Sequence, residues 1–201
     1  VSSATELAGA TVCIQTGTTT ELNLADYFRA NDMEYEPLPI ETNAEAQQNY
    51  LANACDVYTT DRSGLAATRS TFENPEDHVI LPETISKEPL GPVVREGDEI
   101  WGDVVRWTYN ALVAAEEYGI TQDNVEEIAA NPPNPSIARM LGAEGSMGEV
   151  LGVPADFAVH AIKAGGNYGE IFERYLEPVG LERGLNALYT EGGLQYAPPF
   201  R

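Results

Sequence analysis

The chain has 201 residues, 43% of them hydrophobic and 8% aromatic, which is enough apolar material for one large domain or two small ones and argues against disorder. Eleven Lys and Arg against 32 Asp and Glu give a formal net charge of -21, which repels phosphate backbones and anionic bilayers, so nucleic acid is not an expected partner. No apolar stretch approaches the roughly 20 residues of a membrane-spanning helix, and Val1 begins without a basic n-region or apolar h-region.

From residue 10 to 82 short β-type runs alternate with helical stretches. Strands are predicted at Thr11 to Gln15, Tyr35 to Ile40, Asp56 to Thr60 and His78 to Leu81, and helices begin near Thr18, Asn43 and Asp61. This βαβαβ rhythm predicts an α/β fold with a parallel sheet covered by helices. Pro37 and Pro39 place the second strand at an edge, where a missing N–H costs least. Pro82, Pro89, Gly91 and Pro92 break the pattern and predict a crossover.

Beyond the crossover, Val93 to Arg95 can form a strand. Asp98 to Tyr118 is a long helix with Ile100, Val104, Val105, Trp107, Leu112 and Val113 near helical spacing, stopped by Gly119. Thr121 to Ala130, Ile137 to Leu141, Ala155 to Ala164 and Tyr168 to Leu176 are further helices. Residues 131–135 are a turn, Gly142 to Gly152 a loop, and Gly192 to Arg201 an extended tail. The domain reading is an α/β ligand-binding lobe over 1–84, a hinge over 85–92, and a helix-rich part over 93–201.

Gln15-Thr-Gly-Thr-Thr-Thr-Glu21 falls at the end of the first strand and the start of the first helix. Gly17 permits a tight turn, and the N–H groups and hydroxyls of Thr18, Thr19 and Thr20 make an anion site at the positive helix end. The bland alternative is a capping box, since Thr18 and Glu21 have the Thr-x-x-Glu spacing. A nucleotide loop is disfavoured because its Lys is missing. Thr59-Thr-Asp-Arg-Ser63 ends the third strand, so Asp61 emerges at the same rim. Anion donors beside a carboxylate suit a zwitterion, with Asp61 taking an ammonium; the alternative is Asp61 as a plain N-cap.

Cys13 and Cys55 are too few for a disulfide scaffold, and with His78 and His160 they have no metal-ligand spacing; no metal or other cofactor is expected. If their strands are sheet neighbours the two cysteines can bridge, which implies an oxidising, exported compartment. Trp101 and Trp107 are read as packing residues, and Tyr168 to Phe172 as an amphipathic anchor.

Four stretches carry a resemblance: Thr11 to Phe28 (TVCIQTGTTTELNLADYF), Cys55 to Asp61 (CDVYTTD), Ile85 to Pro92 (ISKEPLGP) and Gly192 to Pro199 (GGLQYAPP). They closely resemble the general L-amino-acid-binding proteins of polar amino-acid ABC importers, from end to end of the chain. The resemblance implies a type II periplasmic binding fold, an L-amino acid as ligand, a membrane permease as partner, and a periplasmic location. It maps α-carboxylate binding onto Thr18 and Thr19, with Thr20 a weaker carry-over, and α-ammonium binding onto Asp61. Gln15 and Thr60 match positions that contact the ligand side chain in relatives.

Against that family the chain lacks the N-terminal half-lobe, which supplies an aromatic wall and an Arg for the ligand carboxylate. A signal peptide and roughly one hundred further residues are therefore expected upstream of Val1. Members are usually monomeric, whereas apolar surface left uncovered here favours self-association. The expected function is reversible capture of L-amino acids without covalent chemistry. A small-carboxylate dehydratase on the same fold and a receptor's sensing domain are the rivals.

Overall fold

The computed structural model describes every residue except Glu88, and the chain forms two units, Val1–Leu90 and Gly91–Arg201. In the N-terminal unit, β1 (Thr11–Gln15), α1 (Thr19–Ala30), β2 (Glu36–Ile40), α2 (Asn43–Leu51), β3 (Val57–Tyr58) and α3 (Arg62–Arg69) follow in chain order. The sheet is three-stranded and parallel, in the order β2-β1-β3. Thr11 to Gln15 pair with Glu36 to Ile40, and Val12 and Cys13 pair with Val57 and Tyr58.

β1 is the middle strand, and its Val12, Cys13 and Ile14 are all buried, as a strand covered on both faces requires. Val12 and Ile14 pack with Leu24 and Phe28 of α1. Cys13 faces the opposite way and is bridged to Cys55, just ahead of β3, with the Cα atoms 5.6 Å apart. β2 lies at an edge, so Pro37 and Pro39 cost no ladder hydrogen bond on its outer side.

The fourth expected strand, His78 to Leu81, is not formed among the described residues. Val79 is 69% exposed, so the run has no buried face to pair over a sheet. His78 is instead drawn into an aromatic cluster: its Nδ1 lies 2.9 Å from the Tyr50 hydroxyl, and its ring meets Phe72 edge-on at 4.7 Å. The strand expected at Val93 to Arg95 is likewise missing among the described residues, and Val93 is exposed. The crossover expected over 85–92 includes Glu88, which lies outside the described residues.

The C-terminal unit is helical: α4 (Glu99–Glu117), α5 (Val125–Ala130), α6 (Pro135–Met140), α7 (Met147–Leu151), α8 (Phe157–Gly165) and α9 (Tyr168–Tyr175). Buried Ala111, Ala114 and Ala115 let α8 and α9 approach α4 closely around Ile120, Met140 and Ile162. Trp107 packs edge-on against Phe200, ring centroids 5.1 Å apart, which fastens the tail to this core. Ile100 and Trp101, expected to be buried, are 73% and 55% exposed because the first turn of α4 lies outside the core, which the helix joins from Val104 onward. The loop expected over 142–152 contains α7. Its Gly148 touches the backbone of residues 154–155, where a Cβ would lie 2.5 Å from the Pro154 carbonyl oxygen, so this glycine serves close packing.

Candidate functional site

Parallel neighbours end on the same side of a sheet, so the residues after β1, β2 and β3 share one rim of the N-terminal unit with the N-termini of α1, α2 and α3. All six side chains read from the sequence belong to this rim. What each does there differs.

Gln15 ends β1, and its Nε2 donates to the Glu41 carbonyl at 2.9 Å, tying the loop after β1 to the loop after β2. Gly17 turns the chain with φ 71°. Thr18 is the N-cap of α1: its Oγ1 accepts from Glu21 N at 3.3 Å and donates its proton to the Gln15 carbonyl at 2.7 Å. Glu21 reaches back so that its Oε2 accepts from Gly17 N at 2.8 Å. The capping arrangement is thus formed, with Gly17 rather than Thr18 supplying the backbone donor.

Thr18 consequently has no hydroxyl proton left for a ligand, and the Gly17 N–H is already taken. Thr19 and Thr20 occupy the first two helical positions, whose N–H groups have no carbonyl four residues back, and Thr19 is exposed. With their hydroxyls these are the loop's donors toward an anion, at the positive end of the helix.

On the neighbouring strand, Thr59 N continues the pairing by one residue, donating to Cys13 O at 3.4 Å. Asp61 then takes the N-cap position of α3, and its backbone carbonyl accepts from Leu65 N. Its carboxylate makes no capping hydrogen bond to the helix. An N-cap aspartate ordinarily satisfies an N2 or N3 donor, so capping does not account for the exposed carboxylate of Asp61.

Thr60 sits between them, with its methyl toward the first turn of α3: a side chain at Gly64 would meet its Cγ2 at 3.5 Å. The residue that sequence reasoning missed is Tyr58. Its hydroxyl donates to Asn43 Oδ1, at the start of α2, across 3.1 Å. Burial pushes the Tyr58 phenol above its ordinary value; the Thr60 contact acts downward, and the Asp61 charge upward. The available signal was its place in a predicted strand, three residues ahead of Asp61.

Among the described residues no group of His, Cys, Asp or Glu is placed to hold a metal ion, and no helix is long and apolar enough to cross a membrane. The rim presents free backbone N–H groups at the start of α1 and an exposed carboxylate at Asp61.

No family model matches the chain. Over its whole length the chain is 63% identical to the glutamate/glutamine/aspartate/asparagine-binding protein BztA of Rhodobacter capsulatus. It is 56% identical to the general L-amino acid-binding periplasmic protein AapJ of Rhizobium johnstonii. In both cases it spans 60% of the relative's length. A solved ABC transporter periplasmic binding protein from Brucella ovis, with glutathione bound, is 56% identical and superposes with a TM-score of 0.95, over 100% of this chain and 64% of that one. The chain is homologous to the amino-acid-binding periplasmic proteins of ABC transporters. The same match gives its fold as part of the type II periplasmic binding architecture, with the parallel sheet of the N-terminal unit carrying the rim.

Proposed function

We propose that this chain belongs to the substrate-binding component of an ABC amino-acid importer and provides the part that grips the charged end of an L-amino acid. The α-carboxylate is held by the N–H groups and side chains of Thr19 and Thr20 at the start of α1, with Thr18 shaping the loop. Asp61 takes the α-ammonium, and Gln15 and Thr60 lie where they can sense the rest of the ligand. Residues 1–84 form the binding lobe, 85–92 the crossover, and 93–201 the returning part of a second lobe. The protein acts in the periplasm and hands its ligand to a membrane permease, by reversible binding with no covalent step.

The observation that carries this reading is the Asp61 carboxylate, which stands at an N-cap without capping, on the same rim as the α1 N-terminus. The homologues support it: BztA and AapJ are amino-acid-binding by name. The glutathione of the Brucella ovis structure is compatible as well, because its γ-glutamyl end presents an α-ammonium and an α-carboxylate.

Calorimetry with a panel of L-amino acids tests the proposal. Asp61→Asn removes a charged acceptor and is expected to weaken binding roughly tenfold to a hundredfold. Unchanged affinity in that variant would remove Asp61 from the site.

A further inference from the structure

Two side-chain amides on the rim have their polarity fixed by hydrogen bonds. A primary amide donates at its nitrogen and accepts at its oxygen, so committing one end to the protein decides what the other offers a ligand. Gln15 Nε2 donates to the Glu41 carbonyl at 2.9 Å, and since a carbonyl only accepts, the nitrogen is the end that faces it. Gln15 Oε1 is left outside that bond as an acceptor. Asn43, at the first position of α2 and two residues beyond Glu41, is set the other way. Its Oδ1 takes the Tyr58 hydroxyl proton at 3.1 Å, which leaves Nδ2 and its two N–H groups outside the bond. Neither Gln15 Oε1 nor Asn43 Nδ2 has a hydrogen-bond partner among the described residues. Asn43 is exposed and Gln15 half-buried.

The sheet order puts this pair in the middle of the rim. α2 leaves β2 at one edge and returns to β3 at the other, so it crosses β1, and its first turn stands at the ends of β1 and β3. The Cα atoms of Glu41 and Asn43 are at most about 7 Å apart, so the two amides are within reach of one small group.

We propose that Asn43 is a further specificity residue, and that with Gln15 it forms an amide-reading pair that favours amino acids whose side chain ends in a carboxamide. This rests on the amino-acid reading above and names the substrate class. A ligand carboxamide turns its oxygen to Asn43 Nδ2 and its NH2 group to Gln15 Oε1, and both protein amides are satisfied. A side-chain carboxylate suits Asn43 but sets its own lone pairs against Gln15 Oε1. An alkyl side chain leaves both amides unpaired where it displaces water. The formal net charge of -21 adds a long-range bias against an acidic side chain.

Calorimetry on the full chain with L-glutamine, L-glutamate and L-alanine tests this, L-alanine having the same charged end and nothing for the pair to hold. The wild-type chain is expected to bind L-glutamine about three- to tenfold tighter than L-glutamate. Gln15→Met should weaken L-glutamine about three- to tenfold relative to L-alanine and leave L-glutamate level or tighter, so that the preference disappears or reverses. Asn43→Ala keeps the bond between Gln15 and Glu41 and should weaken both L-glutamine and L-glutamate relative to L-alanine. A rim merely loosened by a substitution loses affinity for all three ligands alike, and that result in both variants overturns the proposal. Equal wild-type affinity for L-glutamine and L-glutamate overturns it as well.

NMR of the wild-type chain gives a readout that no substitution can blur. The side-chain NH2 signals of Asn43, assigned by their loss in Asn43→Ala, should move on adding L-glutamine and stay in place with L-alanine. Signals that respond equally to the two ligands refute the assignment of Asn43. A chain that binds L-alanine but shows none of these differences keeps the charged-end reading and loses the amide pair, whereas a chain that binds none of the three ligands loses both.

Discussion

Reducing the Cys13–Cys55 bridge should act on the N-terminal unit with a magnitude that can be worked out in advance. The bond spans 42 residues and encloses the end of β1 and all of α1, β2 and α2. In the chain-entropy model, closing a loop of that length restricts the unfolded chain by about 4 kcal/mol at 25 °C. A unit of this size has a total stability of roughly 5–13 kcal/mol, so the bridge accounts for between a third and most of it. Both cysteines are buried, and reduction leaves their sulfurs in place, so reduced wild type separates the loop effect from any void that Cys13→Ala/Cys55→Ala would leave.

Urea unfolding is the assay. Trp101 and Trp107, the two tryptophans, both lie in the C-terminal unit, so their fluorescence serves as an internal reference, while NMR amide intensities of β1 and α1 report the N-terminal unit. With m near 1–2 kcal/mol/M, reduction should lower the N-terminal midpoint by about 2–4 M, or unfold that unit in buffer. A shift of less than about 1 M would refute the loop-entropy reasoning for this bridge.

Gly169→Ala should destabilise the C-terminal unit by about 1–3 kcal/mol, seen as an earlier tryptophan transition in urea. A Cβ there would lie 2.9 Å from Glu116 Oε1 and 3.1 Å from Arg183 Nη1, within a 2.8 Å ion pair whose guanidinium also lies over the Tyr168 and Phe172 rings. An unchanged transition would show that the pair can shift without loss. Gly193→Ala puts a Cβ 1.9 Å from the Ala187 carbonyl oxygen and should release the tail that brings Phe200 onto Trp107. A red shift of Trp emission is expected, and unaltered emission would count against that contact.

The Glu83 carboxyl is held below its ordinary value by hydrogen bonds from the Ser3 hydroxyl and the Ala4 N–H. A depressed carboxyl stabilises the fold above its unfolded value, near pH 4.5, and the contribution is lost as pH falls through the lower folded value. The amides of Ser3 and Ala4 should therefore change below about pH 4.5, and Glu83→Gln should abolish that step. A step that persists in the variant would assign it to another group.

The core of the N-terminal unit was legible because its signals are local and redundant. An unbroken apolar β1, two prolines on the edge strand, and Gly17 ahead of three threonines each state where they belong. Residues 78–81 were not legible, since a β-type run pairs only if a neighbouring strand offers a place, and here the His78 ring found Tyr50 and Phe72 instead. α7 was hidden because Gly148 reads as a breaker in sequence and serves close backbone packing in space. In the site, Asp61 and the threonines were visible as residue types at the right end of the right strands. The direction of their hydrogen bonds was not: Thr18 gives its proton to Gln15, and Glu21 occupies Gly17. Those facts depend on side chains meeting across loops, which spacing does not encode.

Amide NMR of the nitrogen-15-labelled chain, titrated with an L-amino acid, its N-acetyl derivative and its carboxamide, tests the two-ended rim most directly. The amino acid is expected to shift the amides of Thr19, Thr20 and the Asp61 turn together. The acetylated form should lose the Asp61 response and the carboxamide the threonine response. Shifts confined to other parts of the chain, or identical responses to all three ligands, would contradict the zwitterion site.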